Sequence, residues 1–223
     1  MRRHLHTSRR SLLPLERCCI TCRCYPEDAM IEKKTSWTWN KKRPEPWVVD
    51  AETAKGSYFF GDLYTCRAHN SKSSVDFDVI DGKDVVICLA ITSKNELVLV
   101  SQFRPGCRDL SLEVPGGGIE KGEDPVHALH RELREESGYT GENSILLYAC
   151  YFNPACFNSH IYFYLLQNCE KTCDTDFDPT EDCATYLLPI EHLDDAMDRQ
   201  IFQNAVTVTA LGLLWRWLGR EKK

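Results

Sequence analysis

Residues 112–139 read Leu112-Glu113-Val114-Pro115-Gly116-Gly117-Gly118-Ile119-Glu120-Lys121-Gly122-Glu123-Asp124-Pro125-Val126-His127-Ala128-Leu129-His130-Arg131-Glu132-Leu133-Arg134-Glu135-Glu136-Ser137-Gly138-Tyr139. A strand end breaks at Pro115 into a glycine loop. Asp124 and Pro125 then open a helix as N-cap and first helical residue, and Gly138 closes it from the position that favours a left-handed backbone. At about 100° per residue, Glu132, Glu135 and Glu136 fall within about a 100° arc of that helix. Val126, Leu129 and Leu133 form the neighbouring apolar stripe. Three crowded carboxylates repel, and a hard divalent cation such as Mg²⁺ or Mn²⁺ would relieve them. Arg131 stands one turn before Glu135 and is placed to pair with it or with Glu123.

Outward from this segment the chain alternates strand and turn signals. Trp47-Val48-Val49, Ser57 to Phe60 and Leu63 to Cys66 read as short strands punctuated by Gly56, Gly61 and Asn70-Ser71. Asp81-Gly82 reads as a hairpin turn before a buried strand from Asp84 to Thr92. Further strands are expected at Leu97 to Phe103, Ile145 to Phe152, His160 to Leu166 and Cys183 to Pro189. A helical pattern runs from Asp194 to Leu218. Strands dominate and two helices pack on them, so the expected class is α+β with a mixed sheet.

The 223 residues carry a formal charge of −6, distributed unevenly. Residues 1–24 hold six arginines against Glu16, a net of +5, which leaves −11 on residues 25–223. An acidic body argues against a general nucleic-acid binder. The arginine-rich head has the composition of a mitochondrial transit peptide; a disordered extension or a start at Met30 are the other readings. Without such a leader the protein would be cytoplasmic. No window is apolar enough to span a membrane. Twelve cysteines show no framework spacing and are read as free thiols. Cys19 and Cys22 have C-x-x-C spacing, but no second pair follows to complete a zinc site.

From Gly117 the spacing runs five residues to Glu123, seven to Arg131-Glu132-Leu133, then Glu135-Glu136 and Gly138-Tyr139. This resembles the Nudix hydrolase signature G-x5-E-x7-R-E-U-x-E-E-x-G-U, where U is a bulky aliphatic residue. All seven fixed positions match, and chance agreement is on the order of one in 10⁸. Tyr139 departs from the aliphatic ending but is bulky. Pro154, sixteen residues after Gly138, resembles the spacing of the ADP-ribose pyrophosphatase-like subfamily. Gln102-Phe103-Arg104-Pro105 and Leu112 to Gly117 are similar to its Q-Y-R and L-E-x-P-A-G stretches, with Gly116 in place of alanine. Ile201 to Leu211 is similar to its last helix.

The resemblance implies a Nudix fold, a mixed sheet sandwiched between helices with a small N-terminal β subdomain. Residues 1–30 would be leader, 31–82 the subdomain and 83–223 the hydrolase domain. It implies metal-dependent hydrolysis of a nucleoside diphosphate derivative, foremost ADP-ribose or another ADP-sugar. Glu132, Glu135, Glu136 and the carbonyl of Gly116 would hold Mg²⁺. Arg104, Glu113, Gly117 and Pro154 would line the substrate. Glu181, with Asp182 as alternate, would be the general base, while Glu123 and Arg131 would order the site alongside Glu135. Trp37, Trp39 and Trp47 could stack on adenine or serve a homodimer contact. Cys156 is not read as a nucleophile, and His127 and His130 are read as surface residues. Rival readings are removal of pyrophosphate from RNA 5′ ends, hydrolysis of dinucleoside polyphosphates, and a non-catalytic nucleotide-binding scaffold.

Overall fold

The structure is a computed structural model that describes residues 48–58, 61–175 and 184–221. The basic head, Cys19 and Cys22, the tryptophans at 37, 39 and 47, and Glu181 with Asp182 lie outside the described residues.

Two sheets follow one another along the chain. The first is antiparallel, in the order β1 (Val48–Tyr58), β2 (Gly61–His69), β3 (Ser74–Asp81). The β2–β3 turn forms where Asn70 was expected to make one, its Oδ1 accepting from the amides of Lys72 at 2.9 Å and Ser73 at 3.0 Å. Gly56 sits inside β1, at a register irregularity, where the sequence suggested a break between two short strands.

The second sheet contains β4 (Val85–Thr92), β5 (Glu96–Arg104), β6 (Asp109–Glu113), β7 (Gly116–Gly118), β8 (Tyr139–Tyr151), β9 (His160–Lys171) and β10 (Ala184–Pro189). Its order is β10-β5-β4-β9-β8, with β6 on β5 and β7 on β4. β4 and β9 run parallel while the remaining pairs are antiparallel, so the sheet is mixed as expected.

Side-chain alternation builds a core on each face of this sheet. Ile87, Leu89 and Ile91 of β4 point one way, with Leu97 and Leu99 of β5 and Phe163 and Leu165 of β9. That layer is covered by α2 (Leu193–Asp198), through Leu193, by α3 (Ala205–Glu221), through Leu211 and Leu214, and by Phe202 between them. Val86, Cys88 and Ala90 point the other way, with Val98 and Leu166, and are covered by α1 (Pro125–Ser137). Leu129 and Leu133 of α1 are fully buried; each contributes roughly 1.5–3 kcal/mol of apolar burial. The sheet is thus sandwiched between helices.

Two expectations are corrected. Asp81-Gly82 is no hairpin: β3 pairs with β2, β4 pairs with β5, β7 and β9, and neither Asp81 nor Gly82 takes the positive φ of a tight hairpin turn. The residues carry the chain from one sheet to the other. The helical pattern from Asp194 to Leu218 is two helices, because Gln200 turns left-handed at φ 54° and Asn204 starts a new helix.

Candidate active site

Local chemistry sets α1 as the sequence suggests. Asp124 caps it, with Oδ1 accepting from the Val126 amide at 2.8 Å, and Gly138 ends it at φ 74°, its N–H donating to the Arg134 carbonyl. Docking Leu129 and Leu133 on β4 turns Glu132 and Glu136 toward the glycine strand β7. The Gly116 amide donates to Glu136 Oε2 at 2.9 Å. A Cβ on Gly117 would stand 2.5 Å from the Glu132 carboxyl carbon, and one on Gly116 would collide with the Val86 carbonyl oxygen. Both positions therefore need a backbone without a side chain, one for the carboxylate and one for strand pairing.

Arg131 is the hub. Its Nε donates to Glu123 Oε1 and its Nη2 to Glu123 Oε2, both at 2.9 Å. Nη1 donates to Glu132 Oε1 at 2.8 Å and Glu135 Oε2 at 3.2 Å, and Nη2 also donates to the Gly118 carbonyl at 3.0 Å. The guanidinium fork, followed by the Glu120 amide, holds the Glu123 carboxyl down at about 2. In return Glu123, ahead of Glu132 and Glu135, raises Arg131 above its ordinary value.

Arg104 and Glu113 meet across β5 and β6. Arg104 Nε and Nη2 donate to the two Glu113 oxygens at 3.0 and 2.6 Å. The Glu113 side chain is 5% exposed and that of Arg104 43%. Burial pushes Glu113 up, but contacts with Arg104, Ser111 and Asn204 outweigh it and hold the carboxyl below its usual range. Alternation along β5 puts Arg104 on the same face as Val98, the face that α1 covers.

The structure thus gathers Glu123, Arg131, Glu132, Glu135, Glu136, Gly116 and Gly117 around α1 and β7, with the Arg104–Glu113 pair on the same face of the sheet. Pro154 is exposed in a loop fastened elsewhere: Ile80 N donates to the Cys156 carbonyl, and Asn158 Nδ2 to Asp81 Oδ1 at 2.7 Å. That loop meets the fold near the start of β4, the strand end that also pairs with Gly118. His127 is exposed as expected. His130 is half-buried instead, and burial, then His127, lowers its pKa. The described cysteines are free, and burial pushes Cys88 up and Cys169 to about 11, which leaves both unreactive.

Three contributors were not anticipated. The Gly118 carbonyl joins the Arg131 network. Asn204 caps α3, its Oδ1 accepting from Val206 N at 2.8 Å and Thr207 N at 3.2 Å. Thr207 Oγ1 accepts from Val114 N at 3.3 Å. An Asn before an apolar helix is a readable cap signal; nothing in sequence spacing joins Thr207 to Val114.

A divalent cation fits the donor set in kind. Glu132 and Glu136 are 9% and 3% exposed, the other donors are hard oxygens, and Gly117 leaves room beside Glu132 that a Cβ would fill. Among the described residues, no three His, Cys, Asp or Glu side chains are gathered closely enough to hold a metal by themselves. Arg131 takes Glu132 and Glu135 on one side while Glu136 faces Gly116. A hard divalent cation can be held by one or two carboxylates together with waters and substrate phosphates.

A NUDIX domain model matches residues 82–207, more than half of the chain. The chain is 32% identical over 119 residues to the ADP-ribose pyrophosphatase of Bacillus subtilis (strain 168), covering 51% of this chain and 64% of that protein. It therefore spans somewhat less than two thirds of that relative's length. It is 24% identical over 191 residues to ADP compounds hydrolase NudE of Escherichia coli (strain K12), covering 80% of this chain and 96% of the other. The crystal structure of an ADP compounds hydrolase is similar with a TM-score of 0.72 at 20% identity, covering 81% of this chain and 98% of that one. At that identity the likeness speaks to fold.

Proposed function

The chain belongs to the Nudix domain family, and from that premise we propose that it is a Mg²⁺-dependent hydrolase of the diphosphate bond in ADP-ribose or a related ADP-sugar. The products would be AMP and a sugar phosphate, ribose 5-phosphate from ADP-ribose. One observation carries the reading: Gly116 and Gly117 lie directly against two buried carboxylates of α1, which Arg131 and the Gly116 amide hold in place. The names of the Bacillus and Escherichia relatives support the choice of substrate.

In this reading Glu132, Glu135, Glu136 and the Gly116 carbonyl would hold the ion. Such an ion would supply charge neutralisation for the diphosphate and would lower the pKa of a water so that it could lose a proton. Arg131 keeps the helix carboxylates from recoiling before substrate arrives, with Glu123 fixing its orientation. Arg104, backed by buried Glu113, faces the anionic diphosphate or the ribose, and Gly117 lets the substrate approach the backbone. Glu181, or Asp182 beside it, accepts the proton of the attacking water. Pro154 borders the substrate from its loop.

A homodimer accompanies this proposal. Val49, Ala68 and Val75 form one row across β1–β3, and Cys66 and Phe77 lie on the same face. Val49, Val75 and Phe77 are 54%, 40% and 42% exposed, while Arg67–Asp76 and Lys55–Asp78 ion pairs occupy the opposite face. These apolar rows, on a face that also carries Glu52, Asp62 and Asp81, are suited to a second copy. The arginine-rich head supports mitochondrial import. No described helix is long and apolar enough to cross a membrane.

The test is product release by the full chain with Mg²⁺ from a panel of ADP-ribose, ADP-glucose, GDP-mannose, diadenosine polyphosphates and 5′-triphosphorylated RNA. Preference for ADP-ribose is expected. Preference for the RNA or the diadenosine compounds would overturn the substrate assignment and leave the bond class standing. No turnover of any member would remove the enzyme reading.

A further inference from the structure

The segment Glu113-Val114-Pro115-Gly116-Gly117 is gripped at several points. Glu113 is tied to Arg104, the Pro115 carbonyl accepts from Cys88 N at 2.8 Å, and Gly116 N donates to Glu136. The remaining tie comes from far along the chain. The hydroxyl of Thr207, in the first turn of α3 and 1% exposed, accepts from the amide of Val114 at 3.3 Å, across 93 residues. Val114 is itself buried at 4% exposure, so no water stands in if that acceptor is lost. The Asn204 cap holds the same turn, because its Oδ1 accepts from Thr207 N.

We infer that Thr207 is a positioning residue for the proposed diphosphate site, its hydroxyl fixing the backbone of Val114 and so setting Glu113 on one side and Gly116 on the other. The inference rests on the reading above for its kinetic consequence only; the mechanical link is a property of the fold. Val114 is one residue from the carboxylate that backs Arg104 and two from the glycine whose amide holds Glu136. A shift at Val114 is therefore passed to both ends of the site. The last helix, which carries none of the signature, becomes part of its support.

The decisive comparison is Thr207→Val, Thr207→Ser and Leu214→Ala in the full chain. Valine keeps the shape and removes the acceptor, while serine keeps the acceptor. Leu214 is fully buried in the same helix, where its removal loosens packing without touching the link. Two readouts are taken well below each variant's Tm: amide hydrogen exchange at Val114 and Gly116, and KM with kcat for ADP-ribose and Mg²⁺. Thr207→Val should speed exchange at both amides and raise KM about tenfold or more. Serine should restore both, and Leu214→Ala should lower Tm while leaving KM and Gly116 exchange near the parent values. Faster exchange at Val114 alone, with Gly116 unchanged, would overturn the proposal. So would a KM change that Leu214→Ala reproduces. Because exchange needs no substrate, the link is judged even if ADP-ribose is not hydrolysed, and that second failure would count against the proposed function alone.

Discussion

Arg131 grips Glu123 with two nitrogens at 2.9 Å each, and a third nitrogen of the same guanidinium reaches Glu132 and Glu135. Only a planar fork can serve three carboxylates and the Gly118 carbonyl together. Arg131→Lys keeps the charge and loses the fork, so kcat/KM should fall about 100-fold with the fold retained. Steady-state kinetics beside circular dichroism would decide this; a lysine variant with parental kinetics would remove Arg131 from the site's organisation.

The two glycines should fail differently. A Cβ on Gly117 meets the end of a flexible Glu132 side chain, whereas one on Gly116 meets the backbone of β4. Gly117→Ala should cost activity, about tenfold or more, with little change in Tm. Gly116→Ala should destabilise the fold by about 1–3 kcal/mol, because β4 and β7 must part. Thermal melts of the two variants check the order, and the reverse order would refute the contact analysis.

Glu123 confers a pH dependence on stability. Its carboxyl lies at about 2 in the folded chain, against about 4.3 unfolded. Folding therefore favours the ionised form. The stabilisation is fully present above about 4.3 and is lost as pH falls through about 2. Melting temperature measured from pH 5 to pH 2 should drop less steeply for Glu123→Gln than for the parent. Parallel curves would mean that the Arg131 pairing contributes nothing to folding.

Chelation should abolish turnover and Mg²⁺ should restore it, while Glu135→Gln combined with Glu136→Gln should stay inactive at any Mg²⁺ concentration with an unchanged far-ultraviolet spectrum. Activity persisting in the double variant would discard the account of α1 as the metal-holding helix.

Glu181→Gln should lower kcat by about 10²–10⁴ with little effect on KM, as loss of a general base does. If Asp182→Asn has that effect instead, the base is Asp182. If neither variant slows turnover, the proton goes elsewhere.

The site was legible in sequence to the extent that its parts are local. The order Gly117, Glu123, Arg131, Glu132, Glu135, Glu136 lies within twenty residues, and a helix of known pitch converts that spacing directly into one carboxylate face. The Asp124 cap and the Gly138 stop are local too, and so were readable. The unbroken apolar run of β4 announced a buried strand.

Tertiary structure decided what depends on partners remote in sequence. Asp81-Gly82 has hairpin chemistry, yet β3 and β4 belong to different sheets, β3 pairing with β2 and β4 with β5, β7 and β9. Asp194 to Leu218 has helical periodicity throughout, yet Gln200 and Asn204 divide it so that Phe202 can enter the core. Arg104 and Glu113 could be named from sequence, but their bidentate pairing depends on the register of β5 against β6. Thr207 is the extreme case. A hydroxyl in a helix and an amide 93 residues earlier share no pattern, and only packing the last helix into the core that holds Val114 brings them within 3.3 Å.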